Sequence, residues 1–261
     1  MAARDIISFW IIPAFSSLVW LGMLLGMLLH WIFDTHRRHY PSDVAGTSIP
    51  YISNVGAEEL KPLFIAGSVV TTVTLDLAFA TERWLRHRGR LVPNSSPGEK
   101  VLAVLTIVFA LIGTAGLTLL SIYDLERHRK LHGVFLLLFV AGYLLSAVFI
   151  CWEYRRLGIK NREHRVLRAS FWVKLTFVLV ELVFAIVFAS ASVTRHTDVA
   201  AVFEWVVAFI FTFYILSFVI DLLPAIHTKD RSARFEIPRN VEEAGAYQRE
   251  HPEGLLLKAL R

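Results

Sequence analysis

Apolar and polar positions fall along this chain in long blocks, without the two-residue alternation of a half-buried strand. Six apolar stretches cover residues 6–33, 62–82, 101–123, 133–152, 169–193 and 202–224, with short charged segments between them. At a rise of about 1.5 Å per residue, each can cross a hydrocarbon layer of about 30 Å. No water reaches backbone groups there, so each stretch must be a helix that satisfies its own hydrogen bonds. The pattern predicts an all-α polytopic membrane protein, a bundle of six transmembrane helices. The first stretch is too long for a cleaved leader, and no small-residue cleavage site precedes His36-Arg37-Arg38, so it is expected to remain a span. The polar segment 225–261, with Pro238 and Pro252, is expected to be a flexible cytosolic tail.

Charge orients the bundle. With the N-terminus inside, the connection after the second stretch carries Arg83, Arg86, Arg88, Arg90 and Lys100. The connection after the fourth carries Arg155, Arg156, Lys160, Arg162, Arg165 and Arg168. The opposite side holds fewer basic residues over more loop, so the positive-inside bias favours cytosolic placement of both termini. Trp31 and Trp205 fall at outer ends and Trp84, Trp152 and Trp172 at inner ends, where amphipathic rings concentrate. Trp20 falls mid-span and reads as a packing residue. Asn94-Ser95-Ser96 is a glycosylation sequon on the expected cytosolic side, so a glycan there would reverse the orientation. The net charge of +5 is explained by this loop bias, and no nucleic-acid motif or partner is expected. The single cysteine, Cys151, excludes an intrachain disulfide.

Three ionisable residues lie within the spans: Asp76, Lys174 and Glu181. Each costs about 2.5–3.5 kcal/mol to insert at mid-membrane. Asp76 precedes Arg83 by seven residues and Lys174 follows Arg168 by six, which puts both about 9–10 Å from the inner boundary. They are expected to face each other as an interhelical pair, either locking the bundle or lining a path for a headgroup, proton or small solute. Glu181 lies near mid-membrane without an evident partner. Gly22-x-x-x-Gly26 and the Gly113/Gly116 pair could each allow close helix approach. Arg83, Arg86, Arg88 and Arg90 form a candidate patch for anionic phosphoinositide headgroups. His128 and His132 share a helical face, but the surrounding sequence lacks a metalloprotease motif; no metal, cofactor or catalytic set is expected.

Two segments carry a family resemblance. Pro50-Tyr51-Ile52-Ser53-Asn54-Val55-Gly56 lies in the first outer loop. The last span reads Glu204-Trp205-Val206-Val207-Ala208-Phe209-Ile210-Phe211-Thr212-Phe213-Tyr214, then Leu216-Ser217-Phe218 and Asp221. Together with six spans they resemble the DRAM/Frag/Sfk family of autophagy modulators, suppressor-of-four-kinase proteins and CWH-type N-terminal domains. Asn54 departs from the aspartate common in that motif.

The resemblance implies a compact six-helix bundle of the stand-alone type. For Sfk-like members it implies the plasma membrane, phosphatidylinositol 4-kinase function and lipid asymmetry; for DRAM-like members it implies lysosomal membranes and autophagy. It marks Pro50, Tyr51, Ile52, Ser53 and Gly56 as a loop motif. Glu204, Trp205, Phe209, Phe211, Tyr214 and Asp221 form a span-six motif. The loop is expected to close the outer mouth of the bundle, anchored by Glu204 and Trp205.

The functional expectation is a non-enzymatic regulator or scaffold acting on lipid distribution, phosphoinositide signalling or autophagy. Its expected partners are membrane lipids and a membrane or kinase-complex protein. The plasma membrane is favoured over lysosomal, vacuolar or other endomembranes. The alternatives are a transporter using Asp76, Lys174 and Glu181, and a remodelling factor for GPI-anchor lipids.

Overall fold

Among the described residues, six helices are long and apolar enough to cross a bilayer. They belong to a computed structural model that describes residues 8–43, 47–162, 164–228 and 235. Most of the expected tail, and the first residues of the first predicted span, lie outside the described residues. The helices are α1 (Ile11–Leu29, continued by a π-helical turn His30–Asp34), α3 (Lys61–His87), α4 (Pro97–Ile122), α5 (Arg129–Lys160), α6 (Arg165–Val193) and α7 (Thr197–Leu222). A short α2 (Ile52–Val55) lies in the first long loop, and a 3₁₀ turn, Leu223–Ile226, ends the bundle. Several helices run a turn or two past the apolar stretches, because charged residues at span ends continue the helix into the interface.

The helix ends follow local chemistry. Ser96 accepts from the backbone N–H of Glu99, whose carboxylate accepts from the Ser95 and Ser96 amides, a capping box with Pro97 at the first helical position. At the end of α3, Gly89 takes φ +68°. Its N–H donates to Arg86 O at 3.2 Å and the Arg90 N–H donates to Leu85 O at 2.9 Å. This Schellman closure needs glycine at the left-handed position.

The helices form a closed ring in chain order. α1 packs on α3, α3 on α4, α4 on α5, α5 on α6, α6 on α7, and α7 returns to α1. α4 and α5 make the closest seam. A Cβ on Gly142 would fall 2.5 Å from Gly113 N, and one on Gly116 would strike the Phe139 backbone. Small residues set this spacing, as they do where lipid offers no hydrophobic drive between helices. Gly22 has nothing within 4 Å of a Cβ, and Gly26 meets Leu63 only at ordinary van der Waals distance. The Gly22/Gly26 motif therefore supplies no close crossing here.

Hydroxyls and an indole tie the ring across its interfaces. Ser16 donates to Thr71 O (2.8 Å), Ser17 to Thr212 O (3.0 Å), Ser146 to Thr106 O (2.8 Å) and Trp20 Nε1 to Ala208 O (2.8 Å). Trp20 is thus a packing residue. α6 is peripheral: only 11% of its most apolar stretch is buried in the bundle, against 50% for α7. Its Leu182, Val183 and Ile186 side chains are exposed, as lipid-facing residues are.

Candidate functional site

The end of the ring that carries α2 will be called the lid side, and the end with the α3–α4 and α5–α6 connections the basic side. On the lid side, the first loop folds down onto α7. Trp205 Nε1 donates to Pro50 O at 3.0 Å, and the Ile52 N–H donates to the Glu204 carboxylate at 2.8 Å. Asp198 accepts from the Ser48 and Ile49 amides at 2.6 and 3.3 Å. Glu204 and Trp205 thus anchor the loop. Ile52 and Ser53 are buried, whereas Tyr51 is half-buried. Burial first, then the neighbouring Glu204 charge, raises the Tyr51 phenol above its ordinary value, so it stays neutral.

Gly56 is required by contact, because a Cβ there would lie 2.5 Å from the Phe64 ring. Asn54, where relatives were expected to carry an acid, donates from Nδ2 to Asp43 at 2.6 Å. A second tether joins Lys61 Nζ to Asp124 at 2.6 Å. Burial alone would raise the Asp124 carboxyl. The Lys61 hydrogen bond, the Arg127 backbone N–H and the nearby positive charges outweigh it and hold the group below its ordinary value.

Beneath the lid lies an apolar cavity of about 110 Å³, walled mainly by α5, α6 and α7 and completed by Trp20 of α1, Phe64 of α3 and Leu117 and Leu120 of α4. Tyr143, Ala147, Val178, Ala185, Ala208 and Phe211 contribute to its wall, and Ile52 and Ser53 to its roof. Two carboxyl side chains, Glu181 and Glu204, reach it. Glu181 Oε1 is buried with no hydrogen-bond partner among the described residues. Aromatic rings shape the α7 face: Trp205 stacks on Phe209 (6.2 Å), and Phe211 meets Trp20 edge-on (5.7 Å) and Tyr143 at 5.3 Å. Tyr214 packs edge-on against Phe218 at 5.2 Å. Towards the basic side, Phe79 of α3 and Phe218 of α7 meet across the ring at 4.9 Å and fill the interior.

The expected Asp76–Lys174 pair does not form. Lys174 Nζ bonds to Asp221 at 2.5 Å and to Ser170 Oγ at 2.9 Å, and its ammonium sits 4.3 Å from the Phe218 ring centroid. Asp76 instead accepts from Thr114 Oγ1 at 2.8 Å, and Thr114 in turn contacts Tyr143 Oη at 2.8 Å. The two residues differ in depth as well as direction: Lys174 lies beside Tyr154, whereas Asp76 reaches Tyr143 through Thr114, eleven residues nearer the lid side along α5. α6 packs on α5 and α7, so its cation meets the acid of α7.

The Lys174–Asp221 pair is one part of a larger buried network. Glu82 accepts from Arg86 (2.8 and 3.1 Å) and from Tyr154 Oη (2.7 Å). Glu153 accepts from Arg83 and, at 2.9 Å, from Asn94. Arg86 also donates to Val92 O at 2.7 Å. The Tyr154 ring lies 5.1 Å from both the Arg86 guanidinium and the Lys174 ammonium and links the two halves. Glu82, Glu153 and Asp221 balance Arg83, Arg86 and Lys174. Desolvated charges persist only when paired and hydrogen-bonded in this way.

The expected headgroup patch is therefore mostly engaged within the protein. Arg83 and Arg86 are in the network. Arg90 donates to Ala225 O at 2.5 Å and lies over the Phe9 ring, and Arg88 stacks on Trp84 at 5.3 Å. Glu82, Glu153 and Tyr154 were missed because they sit at span ends, where charge reads as a boundary. The Glu82/Arg86 spacing of four residues was the available signal.

A family model described as the Frag1/DRAM/Sfk1/Cwh43P N-terminal domain matches residues 8–225. The chain belongs to this family. It is 31% identical over 248 residues to Protein sfk1 of Schizosaccharomyces pombe, covering 94% of this chain and 71% of the relative. It is 25% identical over 177 residues to Protein SFK1 of Saccharomyces cerevisiae, covering 57% of this chain and 50% of that relative. No solved structure matches it. Both resembling segments fall within the family match: one builds the lid, and the other contributes the cavity wall and Asp221.

Proposed function

We propose that this Sfk1-type membrane protein acts without catalysis on the distribution of lipid in the bilayer, with its basic side in the cytosol. The cavity beneath the lid is the observation that carries this reading. It lies in the lid-side half of α5–α7, its wall is almost wholly apolar, and α6, its outer wall, faces lipid. The surrounding medium supplies one obvious occupant, the acyl chain of a lid-side phospholipid. Glu181 reaches the same cavity with one carboxyl oxygen unpaired among the described residues, so a donor carried in with the occupant, such as a water molecule, would satisfy it. The family resemblance favours the plasma membrane as the site of action.

A phospholipid with a mid-chain diazirine tests the reading. Photolysis should label α5–α7 peptides in the wild type, and Ala185→Trp, which fills the cavity, should lose the label while remaining monodisperse. Cells carrying Ala185→Trp and cells lacking the protein should both expose aminophospholipid at the surface. A wild type that takes no label in these peptides sinks the proposal. A transport reading draws on the Asp76–Thr114–Tyr143 chain that leads to the cavity. It requires solute or proton flux in proteoliposomes that Glu181→Gln abolishes.

A further inference from the structure

A second, open cavity of about 400 Å³ lies where the end of α5 meets the start of α6, on the basic side. Arg155, Arg162 and Arg168 line it together with Tyr154, Phe171 and Trp172. All three arginines are exposed. Unlike Arg83 and Arg86, they have no hydrogen bond or ion pair with any described residue. The nearest acid in sequence to Arg155 is Glu153, which already serves Arg83 and Asn94.

The start of α6 adds to the imbalance. Its first turn holds no acid and includes Arg165 and Arg168, and His164 provides no side-chain cap. The positive end of the helix dipole therefore faces further positive charge, an arrangement that an anion would relieve. Depth narrows the choice of anion. Trp172 and Trp152 are 59% and 54% exposed, and such rings sit at the level of lipid headgroups. The cavity thus opens at the boundary between hydrocarbon and water. Three guanidiniums match a group carrying more than one negative charge, and their planar forks suit phosphate oxygens.

We propose that this cavity binds the headgroup of an anionic phospholipid of the basic-side leaflet, one that carries a phosphomonoester. Arg155, Arg162 and Arg168 hold the phosphate, and Trp172 lies beside the chains. The site is separate from the cavity beneath the lid, and Ala185→Trp should not affect it.

The test uses the whole chain in phosphatidylcholine nanodiscs and a fluorescent phosphatidylinositol monophosphate as probe. Arg155→Gln/Arg162→Gln/Arg168→Gln should weaken binding by about five-fold per arginine. Arg88→Gln, a neutralisation on the same side outside the cavity, should change it less than two-fold, within the scatter of a screened surface charge. Phosphatidylserine at equal total charge should bind at least ten-fold more weakly than the phosphomonoester lipid. Four results would overturn the proposal. The triple variant could bind as wild type does. Arg88→Gln could lose as much as each cavity arginine, which would leave only a charge belt. Phosphatidylserine could bind equally well. Millimolar inorganic phosphate could stabilise the lipid-free protein through the same three arginines as strongly as the lipid does, which would assign the site to a soluble anion.

Discussion

Lys174 Nζ lies 2.5 Å from Asp221 Oδ2, and both side chains are essentially inaccessible to solvent. The pair joins α6, the most lipid-exposed helix, to α7. Removing one partner leaves an uncompensated buried charge, which costs about 3–5 kcal/mol. Lys174→Met and Asp221→Leu should each lower the unfolding midpoint in detergent sharply, and the double variant should recover most of the loss. Single variants that unfold with the wild type would show that the pair contributes nothing to holding α6.

The α4–α5 seam gives a contrast between glycines. Gly142→Ala must push the new methyl against the Gly113 backbone, which cannot yield like a side chain. We expect a loss of at least about 2 kcal/mol, at the severe end of overpacking. Gly22→Ala meets open space within a helix, so it should be neutral or stabilising by up to about 1 kcal/mol. Thermal scans of both variants in one detergent decide the matter, and equal effects would contradict the assignment of the seam.

The lid should loosen when its indole bond is removed. Trp205→Phe deletes the donor to Pro50 O, a net loss of about 0.5–1.5 kcal/mol, so local opening should quicken roughly two- to twelve-fold. Ser53→Cys reports on this, since Ser53 is buried under the lid and the native Cys151 is also buried. Maleimide should label Ser53→Cys faster in the Trp205→Phe background. An unchanged rate would mean that the loop is held elsewhere.

The Lys61–Asp124 tether sets a pH dependence on the lid side. The Asp124 carboxyl is held below its ordinary value in the folded protein, so its contribution is complete above the unfolded pKa of about 4. It fades as pH falls through the lower, folded value. The stability difference between wild type and Asp124→Asn should therefore stay constant from pH 7 to 5 and shrink only in stronger acid. A difference that vanished between pH 7 and 5 would refute the sign of the shift.

The spans were legible because hydrocarbon burial in lipid leaves a one-dimensional signature: length and apolarity suffice. Trp20 was legible for the same reason, as an amphipathic ring at the wrong depth for an interface. The partners of Lys174, Arg83 and Arg86 were not, because helix rotation and ring order do not show in a single span. Asp221 entered the reading through the family motif rather than through electrostatics. Gly22 and Gly26 have the right spacing but face no neighbouring backbone, whereas Gly142, outside the recognised cluster, faces Gly113. The cavity walls were hidden because lipid-facing and cavity-facing residues are equally apolar.

The balanced set of three acids and three bases acts as an electrically neutral floor. A hydrated ion descending through the ring from the lid side would have to cross the Phe79–Phe218 contact and then part Lys174 from Asp221, or Glu82 from Arg86. The floor thus closes the interior of the ring towards the basic side by paired charge and packed aromatic rings. The occupant proposed for the space beneath the lid therefore has two ways in, past the loop or sideways past α6, and none through the floor.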